Sequence, residues 1–194
     1  MVLAGGQSRR MKRDKGLLPL NGRPLALHAA DALAPQVDAV CLNPPDSGMA
    51  AYRGLGHPLC PDPVPGQPGP LAGYLAGMRG SHPWVATVPC DSPAPPPDLV
   101  ARLFAACENA GATLAVARGP ERLHPVFALL HRHWYNTLLE SLAAGERRAG
   151  TWLRAMGALE VEFPEEVAFA NINTPEDLAH WTGPEVGSRP GAGT

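Results

Sequence analysis

Close to the start of the chain lies the stretch Leu3–Gly16, with the sequence LAGGQSRRMKRDKG. It follows a short apolar run, opens with two glycines and carries five cationic side chains between residues 9 and 15. Glycines let backbone amides approach phosphate oxygens closely, and Arg or Lys side chains then neutralise the phosphate charge. The stretch therefore predicts a strand followed by a phosphate-binding loop. An ordinary turn with a solvated basic face has the same composition and stays open as an alternative.

Two familiar phosphate-binding motifs do not match this loop. A Walker loop needs Gly, four residues and then Gly-Lys-Ser/Thr, whereas Arg10 and Met11 stand five and six residues after Gly5. The Gly-x-Gly-x-x-Gly pattern of dinucleotide-binding folds is not present in the loop either. The loop therefore requires support from the rest of the chain.

Beyond the loop, short apolar runs bounded by Gly or Pro alternate with longer segments of helical period, which is typical of strand–helix–strand units. We expect an α/β fold, a three-layer sandwich around a mostly parallel central sheet. The predicted strands are Val2–Ala4, Ala39–Asn43, His57–Cys60, Trp84–Pro89, Thr113–Ala117, Val126–Leu130 and Leu159–Phe163. The predicted helices are Pro24–Ala34, Pro70–Met78, Pro97–Ala110, His133–Ala144, Thr151–Met156 and Thr174–Trp181. The brevity of the first strand favours a start codon upstream of Met1.

Length and composition limit the classes of protein that fit. A chain of 194 residues suits one domain, and 45% apolar with 18% charged residues is typical of a folded globule. The net charge of −2 excludes a broadly basic nucleic-acid binder. The sequence shows neither an apolar run long enough to span a membrane nor a signal peptide, so we expect a cytoplasmic protein with no membrane partner. The four cysteines have no zinc-ligand spacing and are interpreted as buried thiols.

Polar side chains follow three of the predicted strands. Asp91 stands directly after the apolar run 84–90, Asn43 ends the second strand, and Asp62 closely follows the third. Ligands of open α/β sheets collect outside the carboxyl ends of the strands, so we expect these groups to share one edge. Mg²⁺ binds through one or two carboxylates together with substrate phosphates, which makes Asp91 a candidate ligand. A turn-forming Asp-Ser-Pro is the alternative for Asp91.

Four further segments carry candidate site residues with structural alternatives. The loop before the helix at Pro70 has small residues against which a flat base or pterin could lie, but close helix packing around Gly73 and Gly77 explains them equally well. His124 begins a strand and is interpreted as structural more readily than as catalytic. Arg148 could meet a substrate phosphate or stabilise a helix end. Asn171 and Asn173 alternate in sequence, so their side chains are expected to point together.

The combination of motifs resembles the molybdenum cofactor guanylyltransferases, which attach GMP to molybdopterin. The resemblance runs from Leu3 to about Trp181. Its matching pieces are Leu3-Ala4-Gly5-Gly6, Arg10-Met11, Asp14-Lys15, Gly22-Arg23-Pro24-Leu25, Gly69-Pro70-Leu71-Ala72-Gly73, Pro89-Cys90-Asp91, His124-Pro125, Gly145-Glu146-Arg147-Arg148 and Asn171-Ile172-Asn173-Thr174-Pro175-Glu176. One departure is Lys12, which stands where the family commonly has glycine after the Arg-Met pair.

The resemblance implies a Rossmann-like nucleotidyltransferase fold and a role for each matching residue. The implied catalytic residues are Lys15, Asp91 and Arg10, with Asp91 also binding Mg²⁺. The implied nucleotide-binding residues are Leu3, Ala4, Gly5, Gly6, Lys15, Asn43, Asp62 and Asp91. The implied pterin-binding residues are Gly69, Gly73, Arg148, Asn171 and Asn173. Cytidylyl relatives tend to carry alanine at the position of Gly5, so this glycine favours guanine.

The resemblance thus implies transfer of GMP from GTP to the terminal phosphate of molybdopterin, with release of pyrophosphate. A cytidylyl- or sugar-nucleotidyltransferase is the alternative within the class, and a non-catalytic carrier of the pterin cofactor is the alternative outside it. Residues 1–182 are predicted to form a single nucleotidyltransferase domain and residues 183–194 a flexible tail. The implied partners are the two small-molecule substrates, with transient contacts to molybdenum-insertion proteins and to chaperones of molybdoenzymes.

Overall fold

The computed structural model describes residues 1–5, 14–64 and 69–181. Six strands form its main sheet: β1 (Val2–Leu3), β4 (Leu42–Asn43), β5 (Trp84–Pro89), β6 (Leu114–Arg118), β7 (Leu123–His131) and β8 (Leu159–Glu162). Two further strands, β2 (Pro19–Leu20) and β3 (Arg23–Pro24), pair as a small hairpin. Gly22 turns this hairpin with a φ of 79°, a value that glycine adopts without strain.

The main sheet has the strand order β4-β1-β5-β7-β6-β8. Strand β1 pairs in parallel with both β4 and β5, and β6 pairs in parallel with β8. Strand β7 runs antiparallel to its neighbours β5 and β6. Five of the six strands therefore point the same way, which confirms the predicted mostly parallel sheet. The carboxyl ends of these five strands and the beginning of β7 lie at one edge.

Seven helices accompany the described strands. They are α1 (Leu25–Leu33), α2 (Met49–Arg53), α3 (Pro70–Met78), α4 (Leu99–Ala110), α5 (Tyr135–Ala143), α6 (Ala149–Ala155) and α7 (Pro175–His180). One apolar cluster joins the sheet to α1, α2 and α4, and a second joins it to α3, α5 and α6. Val2 belongs to the first cluster and Leu3 to the second, as the alternation of side chains along a strand requires. The predicted three-layer sandwich is confirmed.

Local sequence signals mark the end of helix α4 and the beginning of helix α7. Gly111 ends α4 in the left-handed conformation, with a φ of 61°. The last helix, α7, begins with a capping box: the Thr174 side chain accepts from the amide of Asp177, and the Asp177 carboxylate accepts from the amide of Thr174.

One predicted strand is wrong. His57–Cys60 forms only a single bridge, between Leu59 and Leu42, and the second predicted strand is reduced to Leu42–Asn43. The Leu42 amide donates to the carbonyl of Pro58, and the Cys60 amide donates to the carbonyl of Leu42. Pro58 has no amide hydrogen to donate to the carbonyl of Val40, and Pro44 has none to donate to the carbonyl of Cys60, so the ladder cannot extend in either direction.

Three elements differ from the prediction in extent or were not predicted. Helix α2 and the β2–β3 hairpin are too short to give a periodic signal. Strand β7 begins at Leu123, upstream of the predicted Val126, and includes Pro125. A bulge between Val116 and Ala117 of β6 shifts the register next to this proline, which allows the strand to continue.

The remaining expectations have separate outcomes. No helix in the described part of the chain is long and apolar enough to cross a membrane. Cys90 and Cys107 are buried, but Cys41 and Cys60 are only partly buried, so that part of the cysteine interpretation was wrong. The predicted flexible tail, residues 183–194, lies outside the described residues.

Candidate active site

A cavity of about 290 Å³ opens at the edge where the parallel strands end. Its walls come from the end of β1, the segment after β5, the start of α3 and the segment before α7. The lining includes six residues that the sequence singled out: Leu3, Ala4, Gly5, Lys15, Asp91 and Asn171. The structure therefore brings these six residues together at the carboxyl edge of the sheet.

Lys15 and Asp91 form the charged centre of this cavity. The Lys15 Nζ lies 3.0 Å from the Asp91 Oδ2 and donates a second hydrogen bond of 2.7 Å to the Asn173 Oδ1. The side chains of Lys15 and Asp91 are 21% and 17% exposed, so both can be reached from the cavity while most of their surface is shielded. The arrangement offers an ammonium for phosphate and a carboxylate for a cation, at present bonded to each other.

Backbone hydrogen bonds fix the position of Asp91. Cys90 donates from its amide to the carbonyl of Leu3, which continues the β1–β5 pairing beyond the end of β5. The carbonyl of Asp91 accepts from the amide of Ile172 at 2.8 Å. The next residue, Ser92, donates from its hydroxyl to the Asn171 Oδ1 at 2.7 Å and to the carbonyl of Ala170 at 2.9 Å. The Asp91 segment and the Asn171–Asn173 segment are thus held together, with the Asn171 side chain bonded to Ser92 and the Asn173 side chain bonded to Lys15.

Asn43 and Asp62 form a second polar pair, next to Gly5. The Asn43 Nδ2 donates to the Asp62 Oδ1 at 2.7 Å and to the carbonyl of Cys60 at 2.8 Å. Burial raises the pKa of the Asp62 carboxyl, while the hydrogen bond from Asn43 lowers it in part. The virtual Cβ of Gly5 lies 3.7 Å from the Asn43 Oδ1 and 4.0 Å from the Asp62 Oδ2, so the β1 loop runs directly beside the pair.

The glycines at the start of α3 have different surroundings. A Cβ on Gly73 would lie 2.5 Å from the Leu3 Cδ2 and 2.7 Å from the Asn43 Oδ1, and one on Gly77 would lie 2.7 Å from Val85. The packing alternative is therefore observed for both glycines, and Gly73 packs tightly against Leu3 and Asn43. Gly69 has a φ of 88°, and its virtual Cβ lies 3.8 Å from the carbonyl of Arg147.

Arg148 lies apart from the charged centre. Its side chain is exposed, and its amide donates to the Glu146 carboxylate at 2.7 Å at the start of α6. Through Gly69, this segment borders the entrance to α3, which begins with the cavity-lining residue Pro70. The predicted pterin residues therefore divide between this border and the Asn171–Asn173 segment, and Gly73 lies behind the wall.

His124 has the structural surroundings that the sequence favoured. Its ring is buried, stacks on Phe169 with 4.1 Å between ring centroids, and lies 3.0 Å from the Glu166 carboxylate. Burial lowers the pKa of this imidazole, and Glu166 partly opposes that shift. Phe169 lies just before the Asn171–Asn173 segment, so His124 packs against the chain that leads into this segment.

Asp14 and Tyr52 were missed as a pair. The Tyr52 hydroxyl donates to the Asp14 Oδ1 at 2.7 Å, and Asp14 is the residue immediately before Lys15 in the chain. The Asp14-Lys15 motif gave a signal for the acid, but nothing in the sequence connected it to Tyr52. The predicted site residues Gly6 and Arg10, and the departure at Lys12, lie outside the described residues.

Among residues 1–5, 14–64 and 69–181, no group of three or more His, Cys, Asp or Glu side chains is arranged to hold a metal ion. The Asp91 carboxylate, 17% exposed and facing the cavity, offers one oxygen ligand to a cation, and Mg²⁺ commonly takes one or two carboxylates from a protein. A mostly parallel sheet, with a lysine and an acid facing a cavity at its carboxyl edge, is typical of the class of α/β proteins that bind ligands outside the ends of their strands.

Comparison with known proteins makes the class more specific. Residues 1–161 match the family model described as the MobA-like NTP transferase domain. The chain belongs to this family, and it is an enzyme of the nucleotidyltransferase type. The family acts on nucleotide substrates.

Curated relatives and solved structures agree with this membership. The chain is 43% identical over 185 residues to the molybdenum cofactor guanylyltransferase of Cupriavidus taiwanensis, covering 92% of each chain. It is 40% identical over 184 residues to the protein of the same name from Bordetella pertussis, covering 92% of this chain and 93% of that one. The structure of molybdopterin-guanine dinucleotide biosynthesis protein A from Archaeoglobus fulgidus has the same fold, with a TM-score of 0.73, 23% identity, and coverage of 92% of this chain and 93% of that one.

Proposed function

We propose that this enzyme transfers GMP from GTP to the terminal phosphate of molybdopterin and releases pyrophosphate. The observation that carries the proposal is the Lys15–Asp91 pair, 3.0 Å apart in a cavity at the carboxyl edge of the sheet. The names of the relatives support guanine and molybdopterin as the substrates.

The nucleoside half of GTP would lie against the end of β1 and the Asn43–Asp62 pair. Both N–H groups of the Asn43 amide are used by Asp62 and by the carbonyl of Cys60, so the pair offers a ligand only acceptor oxygens, and the Asp62 carboxylate is the stronger acceptor of the two. Guanine and ribose both present hydrogen-bond donors that a carboxylate oxygen can accept. Asp62 would therefore orient the nucleoside, with Gly5 allowing its close approach.

The phosphates would lie between Lys15 and Asp91. Lys15 would exchange its bond to Asp91 for phosphate oxygens, and the Asp91 carboxylate would then be available to hold a Mg²⁺ ion. When bound, Mg²⁺ would neutralise part of the phosphate charge and so favour attack at phosphorus. Asn173 would keep its hydrogen bond to Lys15 and hold the ammonium in the cavity after the exchange.

In the proposed reaction, an oxygen of the terminal phosphate of molybdopterin attacks the α-phosphorus of GTP in line. A new P–O–P link forms, and the bond from the α-phosphorus to the bridging oxygen of the β-phosphate breaks, so that pyrophosphate leaves with its electron pair. The protein supplies positioning and charge stabilisation and needs no nucleophile of its own. The predicted catalytic role of Arg10 belongs to the same proposal.

A comparison of the four nucleotides, supplied one at a time, tests the proposal. The enzyme is incubated with molybdopterin, Mg²⁺ and one of GTP, CTP, ATP or UTP, with pyrophosphate as the readout. We expect pyrophosphate release with GTP alone. Asp38→Ala is the control, because Asp38 is exposed and does not line the cavity, and we expect this variant to behave like the unchanged enzyme. Preference for CTP would instead support a cytidylyltransferase. Binding of GTP without Mg²⁺ and without pyrophosphate release would support a cofactor carrier.

A further inference from the structure

The carboxylate of Asp14 joins the segment that carries Lys15 to helix α2. Its Oδ1 accepts from the amide of Gly16 at 3.1 Å, which caps the short helical turn Lys15–Leu17. The same oxygen accepts from the Tyr52 hydroxyl at 2.7 Å. Tyr52 is fully buried in the core between α2 and the sheet, so it is a fixed point to which the turn is attached.

Two glycines make room for this contact. A Cβ on Gly48 would lie 2.8 Å from the Asp14 Oδ2, closer than a carbon and an oxygen pack. A Cβ on Gly16 would overlap the Tyr52 hydroxyl. The backbone therefore approaches the carboxylate closely at Gly48 and the hydroxyl closely at Gly16, and a side chain at either position would disturb the contact.

The contact is costly to keep, which argues that it has a use. The Asp14 Oδ2 is buried and has no hydrogen-bond partner among the described residues. Burial raises the pKa of the Asp14 carboxyl, whereas the Tyr52 hydroxyl and the Gly16 amide lower it. Burial also raises the pKa of Tyr52, so its hydroxyl stays protonated and donates. An unpaired buried carboxylate oxygen destabilises a fold, and such groups call for an explanation in function.

We propose that Asp14 and Tyr52 are positioning residues for Lys15. A lysine side chain has four methylene groups and loses considerable entropy when its ammonium is held in one place. Fixing the backbone at Asp14 and in the capped turn limits where the Lys15 ammonium can lie, and the ammonium then reaches Asp91 and Asn173. Because α2 follows β4 closely, the same contact ties the phosphate side of the cavity to the strand that ends at Asn43.

The inference rests on the proposed function in one respect, namely that Lys15 binds the phosphates of GTP. Its test is a double-mutant cycle on the dissociation constant of GTP, measured by calorimetry with Mg²⁺ and without molybdopterin. The variants are Tyr52→Phe, which removes only the hydroxyl, Lys15→Met, and the combination. We expect Tyr52→Phe to weaken GTP binding about fivefold, the size of one ordinary hydrogen bond, because the hydroxyl acts on GTP only through the position of Lys15. We expect the combined variant to bind no more weakly than Lys15→Met.

Tyr74→Phe is the matched control. Tyr74 is also a fully buried tyrosine, and its hydroxyl donates to the carbonyl of Pro125 on the other face of the sheet. Its removal tests the general effect of a lost buried hydroxyl, and we expect the same small change in GTP binding whether Lys15 is present or not. Asp14→Asn, which keeps an acceptor oxygen at the cap, should weaken GTP binding less than Tyr52→Phe combined with Asp14→Asn.

Each outcome has a distinct meaning. If Tyr52→Phe weakens binding equally in the presence and absence of Lys15, the hydroxyl acts only on the fold and the inference is overturned. If Lys15→Met weakens binding but Tyr52→Phe binds like the unchanged enzyme, the inference alone is overturned. If Lys15→Met binds GTP normally, the proposed role of Lys15 is wrong and the inference falls with it.

Discussion

Two aspartates of the candidate site have different partners: Asp91 lines the cavity, and Asp62 lies beside the cavity-lining residue Gly5. Asp91 lies 3.0 Å from the ammonium of Lys15, so its charge is balanced by a cation. Asp62 accepts a 2.7 Å hydrogen bond from the neutral amide of Asn43, and its burial raises its pKa. The same residue type is thus placed in two electrostatic environments a short distance apart.

The difference indicates different tasks for the two carboxylates. A carboxylate already paired with a cation can exchange one cation for another, as the binding of Mg²⁺ at Asp91 would require. A carboxylate held by an amide orients hydrogen-bond donors instead, as the nucleoside would require at Asp62. If this division is right, neutral substitutions at the two positions have unequal effects.

The largest effect is expected at Asp91. Asp91→Asn removes the negative charge with little change of shape, and we expect GMP transfer to fall by about a thousandfold, because charge stabilisation at phosphorus is lost. Turnover measured by pyrophosphate release checks this, with Asp38→Asn as the control for an exposed aspartate. A melting temperature equal to that of the unchanged enzyme would show that the fold is intact. Near-normal turnover of Asp91→Asn would contradict the assignment.

Lys15→Met should lower kcat/KM for GTP without lowering the affinity of Asp91 for a divalent cation. We expect kcat/KM for GTP to fall by about a hundredfold, because an ammonium facing the phosphates is lost. We also expect the variant to bind a divalent cation at least as tightly as the unchanged enzyme without nucleotide, because Asp91 no longer has a competing partner. Calorimetric titration with Mg²⁺ measures the second effect. A lower affinity for the ion would show that Lys15 and the ion do not compete for Asp91.

Asp62→Asn should have a smaller effect, confined to binding. We expect KM for GTP to rise about tenfold with kcat nearly unchanged, since a charged hydrogen-bond acceptor is replaced by a neutral one. A loss in kcat as large as that of Asp91→Asn would abolish the distinction between the two aspartates.

The pH dependence sharpens the same comparison. Because burial raises the pKa of Asp62, its carboxylate is lost as the pH falls through a value above the 3.8 of an ordinary aspartate. The ratio of GTP affinities between the unchanged enzyme and Asp62→Asn should therefore fall as the pH is lowered from 7 toward 4.5. Taking the ratio cancels the titration of the nucleotide itself. A ratio that stays constant with pH would show that the Asp62 charge does not contribute to binding.

The smallest effect is expected from Asn173→Ala. It removes one of the two partners of the Lys15 ammonium and leaves Asp91 in place, so we expect KM for GTP to rise about threefold. The resemblance to guanylyltransferases instead implied a role on the pterin side. Measuring KM for both substrates separates the two, because a change in the molybdopterin KM alone would favour the pterin role.

The sequence identified the residues whose position depends on local signals and strand ends. Lys15 and Asp91 could be placed together because the loop follows β1, the acid follows β5, and parallel strands end at one edge. Tyr52 could not be placed, because α2 is a five-residue helix and its contact with Asp14 spans 38 positions in the chain. The strand at His57–Cys60 was wrongly predicted because the apolar pattern fits a strand and does not reveal that nearby prolines interrupt the hydrogen-bond ladder.

The fate of the two ends of GTP tests the central claim most directly. The enzyme is given molybdopterin, Mg²⁺ and GTP labelled with ³²P at either the α- or the γ-phosphate, and the pterin product is separated from pyrophosphate. The account predicts that the α-label appears in the pterin product and the γ-label in pyrophosphate, and that both transfers are nearly lost in Asp91→Asn. Recovery of the γ-label in the pterin product, or α-label transfer that does not depend on Asp91, would contradict it.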